Sequence, residues 1–227
     1  MKWLLADFHV HTSISDGAVS LLEAVDIFGA GGVDVLNVSD HLLDTVSEYG
    51  KIVHRLGKTV KDWDSYVREV EKAKVYARDK YDMLIIRGAE ITNYVDGFHI
   101  VAIDLKEPID ANLPAKDVIN EIHRQGALAI AAHPYNKSDA GSRGYVFYLW
   151  DHLDDFRDEV DLWEIGNGNT FYEEVARANL RFVADSDFHH RPQFFSWKTL
   201  VHARKDVASI KKALLLQRVA LVKVKQS

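Results

Sequence analysis

The chain has 227 residues, 47% hydrophobic and 27% charged, enough apolar sequence for a sizeable core and a length that one α/β barrel fills as a single domain over 1–227. A formal net charge of −6 offers nucleic acid no long-range attraction, so nucleic acid is not a favoured partner. There is no cysteine, which excludes disulfides and thiolate ligands and leaves His, Asp and Glu as the ligand set. The opening MKWLLADF is too short an apolar stretch for a secretory signal, and no apolar run reaches membrane-spanning length. A cytoplasmic location without a membrane partner is therefore expected.

In chain order, short apolar runs bounded by Gly, Asp or Pro predict buried strands at 3–9, 33–39, 83–90, 99–105, 127–132, 161–165, 181–184 and 200–203. Helices are predicted between them at 21–30, 60–80, 115–125, 148–156, 171–178 and 207–217. Asp16 and Ser20 mark the start of the first, and Asn169-Thr170 that of the fifth. Residues 219–224 alternate weakly and are a candidate last strand. Repeated β-then-α argues for a parallel sheet, and about seven or eight such units for a closed barrel with its chemistry at the C-terminal strand ends. Two long loops are expected to wall that end. One, 42–59, holds Tyr49, Lys51, His54, Arg55 and Lys58; the other, 135–145, holds Lys137 and Arg143.

The strand ends carry a series of imidazoles and carboxylates. They read His9-Val10-His11 followed by Asp16, then Ser39-Asp40-His41, Gly88-Ala89-Glu90, Ala132-His133-Pro134 and Asp185-Ser186-Asp187-Phe188-His189. His99 stands instead near a strand start, so that strand is expected to run irregularly or antiparallel. Any one of these is a weak signal, since an Asp is often a helix cap and a His-Pro a turn. Yet six of the 11 histidines fall at such places, and each would need a partner if buried. Their natural joint guest is a set of divalent ions. The other histidines read more plainly: His123 and His152 as solvated helix residues, His202 as a strand-surface residue, His54 as a loop residue. His189 is preferred to His190 on its Asp-x-His spacing.

In order, DFHVHTSISDG (7–17), NVSDH (37–41), GAEIT (88–92), GFHIV (97–101), AAHP (131–134) and DSDFH (185–189) resemble the successive motifs of the PHP (polymerase and histidinol phosphatase) superfamily. The resemblance covers most of the chain. It implies a distorted (β/α)7 TIM-like barrel of the PHP type, here a stand-alone PHP-domain phosphoesterase, with two or three divalent ions of zinc, manganese or iron. Carried over position by position, it implies that His9, His11, Glu90 and Asp187 surround a first ion. Glu90 bridges to a second held by His99 and His133, and Asp16, His41 and His189 hold a third. Asp40 then orients an imidazole from behind. Phe188 departs from the small residue often found there in relatives, which reshapes one wall.

Ions a few ångströms apart would lower the pKa of a shared water from about 15.7 toward about 7. The expected reaction is hydrolysis of a small phosphomonoester or nucleotide by attack of a metal-bridging hydroxide. Asp40, His41 and His189 are candidate proton donors to the leaving oxygen. Arg143 and Arg191 are candidate phosphate contacts, because a guanidinium binds phosphate bidentately. Asn167 is expected to line the pocket and Glu164 either to join it or to back a ligand. The partner expected is thus a small phosphorylated substrate. An amidohydrolase-like metallohydrolase is the alternative, weakened because no lysine stands at a ligand-bearing strand end. A non-catalytic, metal-stabilised regulatory domain is the other, weakened by a ligand set without gaps.

Overall fold

Residues 1–135 and 146–226 are described by the structure, a computed structural model. β1 (Lys2–Val10) is followed by α1 (Leu21–Ala30), which begins at a capping box: the Ser20 hydroxyl accepts from the Glu23 amide and the Glu23 carboxylate from the Ser20 amide. There follow β2 (Val35–Val38), β3 (His41–Leu43), α2 (Glu48–Leu56), α3 (Trp63–Tyr81), β4 (Leu84–Asn93), β5 (Phe98–Ile103), α4 (Ala115–Arg124) and β6 (Leu128–Ala131). The second half holds α5 (Tyr148–Asp151), α6 (Leu153–Phe156), β7 (Leu162–Asn167), β8 (Thr170–Phe171), α7 (Glu173–Arg177), β9 (Phe182–Asp185), β10 (Trp197–Ala203), α8 (Val207–Leu215) and β11 (Val219–Lys223).

The strands form one sheet in the order β11-β10-β1-β2-β4-β5-β6-β7-β8, with β3 on β4 and β9 on β7. β1, β2 and β4 run parallel, as do β6, β7 and β9. β5 runs antiparallel to both neighbours, and so does β10. The architecture is therefore mixed α/β, a correction to the all-parallel repeat. The reason is local: only residues 94–97 separate β4 from β5, and a parallel connection needs a dozen or more. The consequence is useful. His99, near the start of β5, pairs with Thr92 near the end of β4, which brings it to the pole where the parallel strands end.

The sheet is curled. Leu4, Ala6 and Phe8 of β1 share one apolar cluster with Val35, Ile86, Val101, Ile130, Leu162, Val183 and Val201, residues from strands along the whole order, and with Ile210, Ala213 and Leu214 of α8. A flat sheet would keep such residues apart. The opposite face, with Leu36, Val38, Ile85 and Ala89, packs on Phe28 of α1, Tyr66 and Val70 of α3, and Val118 and Ile122 of α4. The curl brings the chain after β9 back to β1. There, Val10 and Phe188 form an isolated parallel bridge, with Phe188 O accepting from His11 N at 2.8 Å and His9 O from Phe188 N at 3.2 Å. Among the described residues no helix is long and apolar enough to cross a membrane.

Candidate metal centre

Two β-bulges aim the site. Along β1 and β2, Asp7 pairs with Leu36 but Val10 with Val38, so β1 carries one extra residue. Before the bulge the even residues Leu4, Ala6 and Phe8 face the inner cluster, whereas Val10 joins the outer one. The inward face thus passes from Phe8 to His9 and His11, which share a side because alternate strand residues do. A second bulge lies between Glu164 and Gly166 of β7 and puts Asn167 on the side of Glu164, whose Oε2 accepts from Asn167 Nδ2 at 2.8 Å. Backbone amides at the first bulge are met by acids. Asp7 accepts from His9 N and Ser186 N, and Asp185 accepts from Phe8 N at 2.7 Å, so the two carboxylates cross-brace β1 and β9. Lys198, fully buried, balances Asp7 at 3.0 Å.

The nine residues named as metal ligands meet at one pole. His9 Nε2 lies 3.5 Å from Glu90 and 3.4 Å from Asp187; His11 Nε2 lies 3.4 Å from Glu90 and 3.5 Å from Asp187. Glu90 Oε1 is 3.4 Å from His133 Nε2 and 2.9 Å from His99 Nδ1. Asp16 Oδ1 is 3.6 Å from His41 Nε2 and 3.3 Å from His189 Nε2. Ligand atoms bound at about 2.1 Å in a tetrahedron stand about 3.4 Å apart, so most of these spacings suit a shared ion. Four sets have donor atoms within 4.8 Å of one another: His11, Asp16, His41 and His189; His9, His11 and Glu90; His9, His133 and Asp187; and Glu90, His99 and His133. Among the described residues, His11 Nδ1 and His99 Nε2 are buried without a hydrogen-bond partner, as a nitrogen meant for a cation would be. His133 and Asp187 hold left-handed backbone, φ 29° and 48°, a strained conformation that side-chain contacts must hold in place.

Charge is sorted within the cluster. Burial opposes protonation of His9, but Glu164, Asp187 and Glu90 outweigh it and hold its pKa well above the usual range. His133 is raised in the same way, against its burial, by Glu90 and Asp187. Burial also opposes a charge on His189, yet the bond to Asp16 and the nearby Asp187 push it up to about 9. Burial drives His11 down to about 3, helped by the rings of His189 and His41. His99 falls to about 4, chiefly through burial. Glu90 and Asp187 are held well below the carboxylate range by surrounding imidazoles, despite their burial. Asp16 is lowered likewise, its burial outweighed by His189 and His41. The carboxylates thus favour positive charge at His9, His133 and His189, a charge that bound cations would supply instead.

Above the cluster opens a cavity of about 540 Å³. Asp16, His41, Glu90, His99, His133, Asp187 and His189 form its floor, Tyr49 and Tyr94 line one part, and Asn167, Thr170 and Tyr172 another. His190 and Gln193 also line it, but His190 belongs to none of the four ligand sets. Asp40 does not reach the cavity. It is fully buried and accepts from Thr12 N, Thr12 Oγ1, Ser15 N and Ser15 Oγ. Its carboxylate therefore fixes the loop after β1 rather than an imidazole or a leaving group. Arg191 also points elsewhere: its guanidinium pairs with Glu23 of α1 at 2.5 Å, and it does not line the cavity. Arg143 and Lys137 lie outside the described residues.

Thr92, Tyr94 and Tyr172 carry no signal in the sequence. Thr92 Oγ1 stands 2.9 Å from His41 Nδ1, which Glu90 also approaches at 2.9 Å. Tyr94 and Tyr172 line the cavity from a turn and from the N-terminal edge of α7. Glu164 proves to be the backing acid, fully buried, with His9 Nδ1 on Oε1 at 2.7 Å and His133 N on Oε2 at 2.6 Å.

No protein-family model matches the sequence, and no curated protein matches it. Solved structures do match. One is a two-domain protein from Bacteroides vulgatus that contains a predicted PHP-like metal-dependent phosphoesterase, with TM-score 0.73 and 24% identity. The match covers 98% of this chain and 65% of that one, so the chain spans a little under two thirds of that protein's length. PsfC from Pseudomonas syringae matches at TM-score 0.63 and 14% identity, over 99% of this chain and 93% of that one. An amidohydrolase from Chromobacterium violaceum, with bound sulfate and no metal, matches at TM-score 0.58 and 15% identity, over 95% and 97%. The chain thus shares its fold with these solved structures.

Proposed function

We propose that this chain is a metal-dependent phosphoesterase on a distorted (β/α)7 barrel, hydrolysing a small phosphomonoester or nucleotide. One observation carries the reading. Six imidazoles and three carboxylates from distant parts of the chain converge at one pole with spacings that suit divalent ions, and seven of the nine line one cavity. His9, His11, Glu90 and Asp187 would hold one ion, Glu90, His99 and His133 a second, and Asp16, His41 and His189, with His11 alongside, a third. Zinc, manganese and iron all suit this nitrogen and oxygen donor set. When bound, such ions supply Lewis acidity toward a phosphoryl oxygen and lower the pKa of water.

The chain's own residues do the rest. Glu164 fixes the His9 ring and the His133 backbone, and the buried floor keeps the charges strong by excluding water. His189 has two roles that exclude one another. With the third ion site empty, its ring would lie on the cavity floor within reach of the leaving oxygen as a proton donor. With a third ion its Nε2 would serve as a ligand, and the leaving oxygen would need another proton donor.

The amidohydrolase of the same fold keeps cleavage of C–N or C–O bonds as the second reading. The test is product release by metal-stripped protein reconstituted with zinc, manganese or ferrous ion. Its panel holds sugar phosphates, nucleotides, amides and lactones. Phosphate release that needs the metal and stops with chelator is expected. Cleavage of amides or lactones without phosphate release would establish the second reading instead.

A further inference from the structure

Along one side of the cavity, four rings stand in series. Tyr49, in the first turn of α2, lies 4.6 Å from Tyr94 between ring centroids, with the planes at 63°. Tyr94 lies 5.4 Å from His99, and His99 lies 4.8 Å from His133. All four line the cavity. The series descends from rim to floor: Tyr49 is 51% exposed and His99 only 8%.

The outer corner is held in place. Asp44, fully buried, accepts from Val46 N and Ser47 N on Oδ1, and from Ser47 Oγ and Tyr94 N on Oδ2. Ser47 is the N-cap of α2 and its hydroxyl accepts from Gly50 N. One carboxylate therefore ties the start of the helix carrying Tyr49 to the turn carrying Tyr94. Such a fixed corner loses little entropy when it receives a ligand.

We propose that the Tyr49–Tyr94 corner is the leaving-group subsite and selects phosphoesters whose leaving group carries a flat aromatic ring. The inference rests on the phosphoesterase reading, which seats the phosphoryl group at the floor beside His99 and His133. Two rings meeting at 63° give a third ring a face against one and an edge against the other, the arrangements that aromatic pairs prefer. A saturated ring of equal size buries similar apolar area but lacks the quadrupole that makes those contacts directional.

The test compares two phosphonates that cannot be hydrolysed as esters, 3-phenylpropylphosphonate and 3-cyclohexylpropylphosphonate. Their binding to the manganese-loaded protein is measured by calorimetry. The phenyl compound should bind about twofold to tenfold more tightly, the range that one aromatic pair supplies. Tyr49→Phe should keep that ratio and Tyr49→Ala should lower it toward one, leaving only the share that Tyr94 supplies. Circular dichroism confirms that each variant is folded, and the cyclohexyl compound is the internal control for lost apolar contact. Equal affinities in the unaltered protein, an unchanged ratio in Tyr49→Ala, or no binding of either compound would overturn the proposal. Phosphate release from the two corresponding phosphate esters tests the parent reading separately. A ring preference kept without hydrolysis supports the subsite and counts against the phosphoesterase.

Discussion

Glu164 does not line the cavity above the centre, yet it touches two residues of the centre and one of the wall. Its Oε1 meets His9 Nδ1 at 2.7 Å, and its Oε2 accepts from His133 N and Asn167 Nδ2. Holding the proton on Nδ1 leaves His9 Nε2 to face Glu90 and Asp187, the geometry of a backed metal ligand. Glu164→Ala should therefore weaken metal binding by about tenfold to a hundredfold, measured by competition with a chromophoric chelator, and Glu164→Gln should weaken it less. Undiminished affinity in Glu164→Ala would show that the His9 ring is set by something else. The nine candidate ligands belong to a series of imidazoles and carboxylates at strand ends, and it was the resemblance to the PHP motifs that picked them out of it. Thr92 and Tyr94 could not be named from sequence, since Thr and Tyr occur on any strand or turn. Arg191 was misjudged for a similar reason: its partner Glu23 stands 168 positions earlier, and nothing in either segment announces the pairing.

At the scale of elements, strand positions were legible where apolar runs were bounded by turn residues, and direction was not. The antiparallel course of β5 follows from a four-residue connection over residues 94–97, and its only sign in the sequence was the odd placement of His99. The bulges left no sign at all, although they turn His9, His11 and Asn167 inward. Asp7 and Asp185 are the acids that accompany the first bulge; in a sequence they look like two more members of the ligand series. His123 is exposed on its helix, as expected of a solvated residue, but it also has an acidic partner. It stands near the end of α4, and its Nε2 lies 2.8 Å from Asp161 Oδ2, which also accepts from Ala129 N at the edge of β6. The Asp161 bond raises its pKa against a smaller opposing effect of burial. A raised folded-state pKa means that the contribution is complete below about 6.5, the unfolded value, and disappears as pH rises through the folded one. His123→Gln should accordingly lower Tm at about pH 5.5 and change it little at about pH 9. Equal losses at both would mean that the contact does not titrate.

For the whole molecule, the curl of the sheet makes the site. His9 and Asp187 are 178 residues apart in sequence (187 − 9), yet their side chains approach to 3.4 Å. They do so because the inner cluster draws β1, β5, β7 and β9 around one centre while α8 packs against it. Alternation of strands and helices made the sheet legible. β10 and β11 were legible as apolar or alternating runs, but their antiparallel pairing and the bridge between Val10 and Phe188 depend on contacts across the chain. Ions binding among these residues would offset the buried carboxylate charges and tie distant strands together, so they should raise Tm as well as support turnover. The most direct measurement is anomalous diffraction from crystals grown with manganese or zinc, recorded at the metal edge. Peaks between His9, His11, Glu90 and Asp187, and between Glu90, His99 and His133, are predicted. A fully loaded crystal whose only peaks lie away from these side chains would contradict the account.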